Sequence, residues 1–206
     1  MTQKRTRLVV GLGNPGNTYV NTRHNIGFMI IDKLSDSFAI SVEKKKFGTL
    51  FGLGEIQGIK VILAKPMAFM NRSGHPVQML SQYFKIPCKD MLVVHDDIDL
   101  AFGRIKIKEK GGHGGHNGVR SLIDTFGADN FVRLRVGVGR GTGYSAAKIN
   151  VSDHVLGRFN SGEQTILDQI INTARDAILT ILCKGTKEGM NIFNNVNKKS
   201  MIHVKL

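Results

Sequence analysis

Two short apolar runs in the sequence end abruptly in polar residues, and they restrict the fold more than any other feature. "RLVVGLG" (7–13) is followed by Asn and Pro, and "MLVVHDDIDL" (91–100) passes directly into His and Asp. Short apolar runs that are closed by turn residues are typical of buried strands. Each predicted strand therefore delivers polar side chains to its carboxyl end, where α/β folds usually build their sites.

Segments with helical periodicity alternate with these strands. Apolar residues recur every four residues from Ile26 to Phe38, which predicts a helix with Asn25 as its N-cap. Further helices are predicted over residues 73–84, 117–126 and 162–184. In the last of these, Ser161 and Gln164 form a predicted capping box. Its predicted buried stripe consists of Ile166, Ile170, Ala174, Ala177 and Ile181.

Two further segments alternate apolar and cationic side chains, which predicts strands with one wet, positively charged face. "RIKIKEK" (104–110) and "FVRLRVGVGR" (131–140) follow this pattern. The predicted cationic face contains Arg104, Lys106, Lys108, Arg133 and Arg135. A hairpin is predicted around Gln57 and Gly58.

The alternation of strands and helices predicts one α/β domain over residues 1–206, with a mainly parallel sheet and some antiparallel pairs. A chain of 206 residues has an ordinary length for one domain with a single hydrophobic core and is short for two domains. Residues 185–206 are expected to form a basic C-terminal tail with one short helix.

The charge balance points to a polyanionic partner. The chain has 29 Lys and Arg residues against 16 Asp and Glu residues, a net charge of +13. Such an excess favours nucleic acid because Lys and Arg displace counterions from phosphates. A basic surface that serves solubility is the alternative.

The cysteines and the hydropathy predict a cytoplasmic protein. Cys88 and Cys183 are far apart and form no CxxC motif, which fits a reducing compartment. The apolar run after the basic amino terminus is interrupted before it reaches the length of a signal-peptide core. No run approaches the roughly 20 apolar residues of a membrane span, so no membrane partner is expected.

Three motifs suggest different chemistries. "GLGNPG" (11–16) matches the dinucleotide-binding pattern, but Pro15 removes an N–H that a phosphate would need, and a tight turn is favoured. "HDDID" (95–99), with His113 and His116, offers the ligand types of a metal site, although the spacing fits no particular metal motif. "GGHGGHNG" (111–118) lacks the Lys-Ser or Lys-Thr pair of a phosphate-binding Walker loop.

The sequence contains no motif for a serine or thiol nucleophile. Histidines, carboxylates and amides at strand ends remain, and they suit a reaction in which water attacks. An imidazole takes the proton of the water, a carboxylate orients the imidazole, and amides hold the carbonyl.

Four stretches in this order resemble the bacterial peptidyl-tRNA hydrolase family. They are "GLGNPGNTYVNTRHNIGF" (11–28), "KPMAFMNRSG" (65–74), "VVHDDIDL" (93–100) and "GGHGGHNG" followed by "RLRVGVGR". The resemblance implies a single α/β globule with a twisted mixed sheet surrounded by helices. It also implies metal-independent hydrolysis, without a cofactor, of the ester that joins a peptide to the 3′ ribose of tRNA.

The resemblance also assigns residues. His24 matches the histidine that activates water, and Asp96 matches the carboxylate that orients it. Lys108 and Arg135 match a clamp on the 5′ phosphate of tRNA. The positions that match the substrate-binding residues of the cleft are Asn14, Tyr19, Met70, Asn71, His116 and Asn117.

Other expectations concern the surroundings of this site. The glycines of residues 111–118 are expected to let the backbone approach the substrate and move as a lid, while Asn117 caps the helix that follows. His113 is as well explained by exposure to water as by substrate contact. Asp97 stands where the family commonly has Glu and is expected to cap a turn. Arg104, Lys106, Arg133 and Arg140 either extend the RNA-binding surface or form a solvated face.

The predicted protein is a monomeric enzyme that acts on peptidyl-tRNA. A non-catalytic RNA-binding protein of the same fold, a metal-dependent phosphohydrolase and a dinucleotide enzyme are the alternatives. The joint presence of His24, Asp96, Asn14, Asn71 and Asn117 argues against a non-catalytic relative.

Overall fold

The computed structural model describes residues 5–140 and 150–195, which form a seven-stranded mixed sheet covered by helices on both faces. The strands are β1 (Arg7–Gly11), β2 (Lys44–Lys46), β3 (Thr49–Ile56), β4 (Ile59–Pro66), β5 (Met91–Asp97), β6 (Ile105–Lys108) and β7 (Val132–Gly137). Their order across the sheet is β2-β3-β4-β1-β5-β7-β6. The four central strands pair in parallel, and the outer strands pair antiparallel. The predicted fold class is therefore confirmed.

Helices cover the two faces with separate apolar clusters. They are α1 (Ile26–Phe38), α2 (Gly74–Tyr83), α3 (Asn117–Phe126), α4 (Val151–Leu156), α5 (Ser161–Lys184) and α6 (Thr186–Phe193). Helices α1, α5 and α6 pack on one face of the sheet, and α2 and α3 pack on the other. Four short 3-10 turns span Asn17–Tyr19, Arg23–Asn25, Met70–Arg72 and Cys88–Asp90. Within the described ranges, no helix is both long enough and apolar enough to span a bilayer.

The close approach of β1 to α1 fixes the start of the first helix. A Cβ atom on Gly11 would lie 2.2 Å from the carbonyl oxygen of Gly27, and one on Gly27 would lie 2.4 Å from that of Leu12. Side chains at these positions would push the helix away from the sheet. The two glycines therefore hold the residues just before α1 against the carboxyl end of β1.

Several helix boundaries differ from the sequence-based expectations. The capping box of α5 consists of Asn160 and Glu163, one residue before the predicted pair Ser161 and Gln164. The side chain of Ile166 is 42% exposed, so the buried stripe begins a turn later than predicted, at Ile170. Phe159, just before α5, is buried in the core cluster. Helix α5 begins at Ser161, one residue before the predicted start at residue 162.

The segment after α5 is partly an integral piece of the fold. Helix α6 packs against β6, and Phe193 is buried in the core. Asn194 then bonds the outer edge of β6, because its Oδ1 accepts from Ile107 N at 2.7 Å and its Nδ2 donates to Ile107 O at 3.0 Å. The predicted short helix is present, whereas residues 196–206 of the predicted tail lie outside the described residues.

Candidate active site

A cleft of about 980 Å³ opens at the carboxyl ends of the central strands. Asn14 follows β1, Met70 and Asn71 follow β4, and Asp96 lies near the end of β5. The sequence-predicted site residues that line this cleft are His24, Asp96, Asn14, Met70, Asn71, His116, Asn117, Lys108 and Arg135. Tyr19 does not line it, but its ring lies edge-on to the lining residue Phe69 with centroids 6.2 Å apart.

Two histidines converge on one oxygen of Asp96. His24 Nδ1 lies 2.7 Å from Asp96 Oδ1, and His116 Nε2 lies 2.9 Å from the same atom. The two imidazole rings are 5.0 Å apart, and Asp96 is 2% exposed. Asp96 therefore anchors two rings that come from different parts of the chain.

The hydrogen bonds of His116 fix its tautomer. Its Nδ1 accepts from the backbone N–H groups of Gly118 and Val119, at 3.1 and 3.2 Å. A ring nitrogen that accepts carries no proton, so the proton of neutral His116 is on Nε2 and is donated to Asp96. The sequence predicted Asn117 as the N-cap of α3, but the N-cap is His116. Its imidazole reaches backbone N–H groups of the first turn that have no partner within the helix.

His24 has the complementary arrangement. Ionised Asp96 can only accept, so Nδ1 of His24 donates its proton to Oδ1. Within the described residues, Nε2 of His24 has no hydrogen-bond partner, and the ring lines the cleft. The unprotonated Nε2 can therefore take a proton from a molecule in the cleft.

The surroundings keep Asp96 ionised. Burial alone would raise its pKa, but the electrostatic interactions with His24 and His116 and the hydrogen bonds from both rings outweigh burial and hold the pKa well below its usual range. A permanently ionised carboxylate stabilises the positive charge that develops on an imidazole when it accepts a proton.

A third histidine, His95, completes the buried centre. Its Nδ1 donates to the carbonyl oxygen of Asp96 at 2.7 Å, and its ring lies 4.6 Å from that of His116. Burial, followed by the electrostatic interaction with His116, lowers the pKa of His95 well below 6.5, so this ring is neutral. From the sequence, His95 was expected only as a possible metal ligand.

Asn14 is held rigidly in the wall of the cleft. Its Oδ1 accepts from Met70 N at 2.7 Å, its backbone N–H donates to Asn25 Oδ1, and its carbonyl accepts from Asn25 Nδ2. Asn25 occupies the predicted N-cap position of α1, but its side chain makes no capping bond because it is used on Asn14. The amide Nδ2 of Asn14 remains available to a molecule in the cleft.

The other predicted binding residues differ in exposure. Asn71 and Asn117 are exposed at the cleft, where their amides can donate and accept. Met70 is only 4% exposed and packs in the core, so its main contact with the site is through its backbone N–H to Asn14.

The glycine-rich segment 111–116 is attached at both ends by buried side chains. Arg133 donates from Nη1 to Gly112 O at 2.8 Å and from Nη2 to Gly111 O, and His116 bonds Asp96 at the other end. Arg133 is 3% exposed, so the predicted wet face of β7 is wrong at this position. The alternation of apolar and cationic residues in β7 correctly placed Arg133 opposite the apolar face, but the glycine-rich segment covers that side chain.

The turn that carries His24 is joined to the end of α4 and to the first turn of α5. Arg23 Nη2 lies 2.6 Å from Glu163 Oε2 with both side chains mostly buried, and Arg23 Nη1 donates to His154 O. The backbone N–H of Arg23 also donates to Gly157 O at 3.0 Å. Arg23 and Glu163 could not be identified from the sequence, because no local pattern relates residues so far apart.

Cationic residues line the part of the cleft beside β6 and β7. In the register of this antiparallel pair, Lys106 lies opposite Arg135 and Lys108 opposite Arg133, so Lys108 and Arg135 are diagonal neighbours on one face. Arg135 Nε donates to Asp97 Oδ2 at 2.5 Å, while Lys108 is exposed. Asp97 Oδ1 accepts from Asp99 N, which is the predicted turn cap.

Asp96 and its two histidines also place three atoms of the kinds that ligate metals within 4.8 Å of one another. However, both ring nitrogens that face Asp96 carry protons, and the other nitrogen of His116 already caps α3. A metal ion would have to replace two charge-assisted hydrogen bonds, so the donor set fits a hydrogen-bonded network better than a metal centre.

A buried carboxylate, a histidine with a free outer nitrogen and amide donors in one cleft are typical of hydrolytic enzymes that activate water. The comparisons with known proteins narrow this class. A family model described as peptidyl-tRNA hydrolase matches residues 8–201. The peptidyl-tRNA hydrolase of Clostridium novyi is 46% identical over 187 residues, which cover 91% of this chain and 97% of that protein.

Two further comparisons agree. The chloroplastic peptidyl-tRNA hydrolase of Arabidopsis thaliana is 46% identical over 94% of this chain and 66% of its own length. The crystal structure of peptidyl-tRNA hydrolase from Acinetobacter baumannii is 37% identical and superposes with a TM-score of 0.85, covering 96% of this chain and 98% of that structure. The chain belongs to the peptidyl-tRNA hydrolase family.

Proposed function

We propose that this chain hydrolyses the ester bond between the peptide and the 3′ ribose of peptidyl-tRNA and releases free tRNA and peptide. The observation that carries this proposal is the arrangement of His24, whose Nδ1 is bound to Asp96 while its Nε2 faces the cleft with no partner among the described residues. Family membership supports the same reaction.

His24 acts as the general base in the proposed mechanism. Nε2 takes a proton from a water molecule while the water oxygen attacks the ester carbonyl carbon, which gives a tetrahedral oxyanion. Asp96 stabilises the resulting imidazolium through Nδ1–H. The intermediate collapses, the bond to the ribose 3′ oxygen breaks, and the imidazolium returns the proton to that oxygen.

The asparagine amides hold the peptidyl group and the oxyanion. Nδ2 of Asn14 is held in a fixed position because the other polar groups of this residue are already bonded. A donor that is fixed before the reaction stabilises developing charge without reorganisation. Asn71 and Asn117 supply further donors and acceptors for the peptide bond.

Lys108 and Arg135 bind the 5′ phosphate of the tRNA in this proposal. Both side chains line the same cleft as His24, and they lie diagonally on one face of the β6–β7 pair. Phosphate contacts of this kind position the nucleic acid and do not read its sequence.

The proposed enzyme needs no cofactor and acts as a cytoplasmic monomer. The net charge of +13 opposes self-association, and Asn194 covers the outer edge of β6. Cys88 and Cys183 are free thiols, which fits a reducing compartment.

The test compares two esters. Pure protein is incubated with N-acetylated aminoacyl-tRNA or with the same tRNA carrying an unblocked amino acid, with and without EDTA, beside His24→Ala. We expect chelator-resistant cleavage of the blocked ester alone, lost in the variant. Failure to cleave either ester would favour a non-catalytic RNA-binding protein, and loss of cleavage with EDTA would favour a metal site at Asp96.

A further inference from the structure

Asp97 is fixed more firmly than a turn residue needs to be. Its Oδ1 accepts from Asp99 N at 2.9 Å, and its own carbonyl oxygen accepts from Val138 N at 3.0 Å. The side chain is 10% exposed. The carboxylate therefore has a defined position at the rim of the cleft, one residue from Asp96.

The second oxygen of Asp97 holds Arg135. Oδ2 accepts from Arg135 Nε at 2.5 Å, and the Arg135 side chain is 22% exposed. Within the described part of the chain, Arg135 makes no other side-chain hydrogen bond or ion pair. Because Nε is occupied, the terminal nitrogens Nη1 and Nη2 remain as a fork for a planar or tetrahedral anion.

The carboxylate also changes the charge of this part of the cleft. Arg133 is already bonded to the glycine-rich segment, which leaves Lys108 and Arg135 as the other cleft-lining cations of the β6–β7 pair. Asp97 cancels about one of these two charges. A weakly charged but well-oriented site attracts passing phosphodiesters less, whereas a terminal phosphate offers three oxygens and a charge of about −1.5 to −2.

We infer that Asp97 is a specificity-determining residue that orients Arg135 and lowers the local charge, so that the site selects a terminal phosphate over the internal phosphodiesters of RNA. This inference rests on the proposed function, because it assumes that Lys108 and Arg135 receive the phosphate of the tRNA substrate. Asp97 is in this view a positioning residue for Arg135 and not a group that reacts.

A second Asp–Arg pair at the same rim provides a control that is matched in charge. Arg140 Nη2 lies 2.5 Å from Asp99 Oδ1, but these side chains are 66% and 52% exposed. Exposed pairs contribute little to orientation. Asp99→Asn therefore adds the same positive charge at the rim as Asp97→Asn, without releasing Arg135.

The experiment measures kcat and KM for N-acetylated aminoacyl-tRNA with and without its 5′ phosphate. We expect wild type and Asp99→Asn to prefer the phosphorylated substrate by similar factors, on the order of tenfold for one charge-assisted contact pair. In Asp97→Asn the preference for the phosphorylated substrate should fall by about threefold or more. The change should come from a lower KM for the dephosphorylated substrate, while kcat stays unchanged. Asp97→Glu, which keeps the charge, should retain the preference.

Four results would overturn the inference, and a fifth would refute the proposed function on which it rests. An unchanged preference in Asp97→Asn would show that the carboxylate does not control phosphate selection. An equal loss of kcat on both substrates would show that Asp97 supports Asp96 instead. An equal drop in preference in Asp99→Asn would assign the effect to charge alone. A wild-type enzyme without any preference would refute the phosphate site, and one that cleaves neither substrate would refute the proposed function itself.

Discussion

The two chain segments that bring histidines to Asp96 are built in opposite ways. The segment between β1 and α1, residues 12–25, ends in a buried 3-10 turn and is cross-linked internally by the paired bonds of Asn14 and Asn25. The segment between β6 and α3, residues 109–116, is largely exposed and has positive φ at three of its glycines. The first segment is buried at both ends and cross-linked between them, and the other is bonded to the rest of the protein mainly at its ends.

The histidines differ in the same sense as the segments that carry them. The first segment delivers His24 with a free Nε2, whereas the second delivers His116 with both ring nitrogens in use. A base must have a lone pair directed at the substrate and must not move, so it belongs on the rigid segment. The exposed segment supplies a ring that supports Asp96.

Paired alanine variants of the two histidines test this difference most directly. We expect His24→Ala to lower kcat by about 10²–10⁴-fold, the usual contribution of a general base. His116→Ala should lower kcat by only about tenfold, since it removes one hydrogen bond to Asp96 worth roughly 1.5 kcal/mol. Single-turnover kinetics with a blocked aminoacyl-tRNA separate the two cases, and equal losses would contradict the assignment of His24 as the only base.

The buried ring of His95, beside His116, predicts how the stability of the protein depends on pH. His95 is neutral in the folded state, and its pKa lies below 6.5, so the unfolded chain binds its proton first as the pH falls. Stability should therefore decrease below about pH 6.5 in the wild type. His95→Phe should lose less stability between pH 6.5 and about pH 5, by up to about 2 kcal/mol at 1.36 kcal/mol per pH unit.

Urea unfolding at a series of pH values measures this difference. Both proteins share every other titrating group, so their difference isolates His95. Parallel stability curves for wild type and His95→Phe would show that His95 takes up its proton equally well in the folded protein.

The smallest expected effect concerns the glycines of the exposed segment. Gly114 has φ of 58° and Gly112 does not have positive φ, while a Cβ on either would meet no atom within 4 Å. Gly114→Ala should cost roughly 1–2 kcal/mol because an L residue is strained there. Gly112→Ala should be tolerated or slightly stabilising, since it restricts the unfolded chain. Thermal unfolding of both variants measures this, and equal melting temperatures would mean that the segment is not held in the observed conformation.

The fold was largely predictable because its patterns are local. Buried strands such as β1 and β5 are continuous apolar runs, and β6 and β7 alternate visibly. The four-residue repeat of apolar side chains in α1 and the residues at which α3 begins and ends can likewise be recognised within one short stretch of sequence. Short-range periodicity reports which face of an element is buried, and that is enough to arrange a layered sheet.

The site was predictable as a set of residues but not as a set of bonds. Asn25, Arg133 and His116 each have side chains that could cap a turn or face water, and the choice depends on which distant segment lies above them. Asn25 bonds Asn14, and Arg133 bonds the glycine-rich segment. Those partners are brought near by tertiary packing, on which a one-dimensional pattern carries no information.

The hydrogen bonds between Asn194 and Ile107 bear on whether the protein aggregates with other copies of itself. Strand β6 is the last strand of the sheet, and its outer N–H and C=O groups would otherwise form a template for another strand. A chain shortened before Asn194 would expose that template, and two such chains could join their sheets edge to edge. That continuous sheet would join two copies of the strand that carries Lys108, so aggregation and loss of RNA binding would arise from the same truncation.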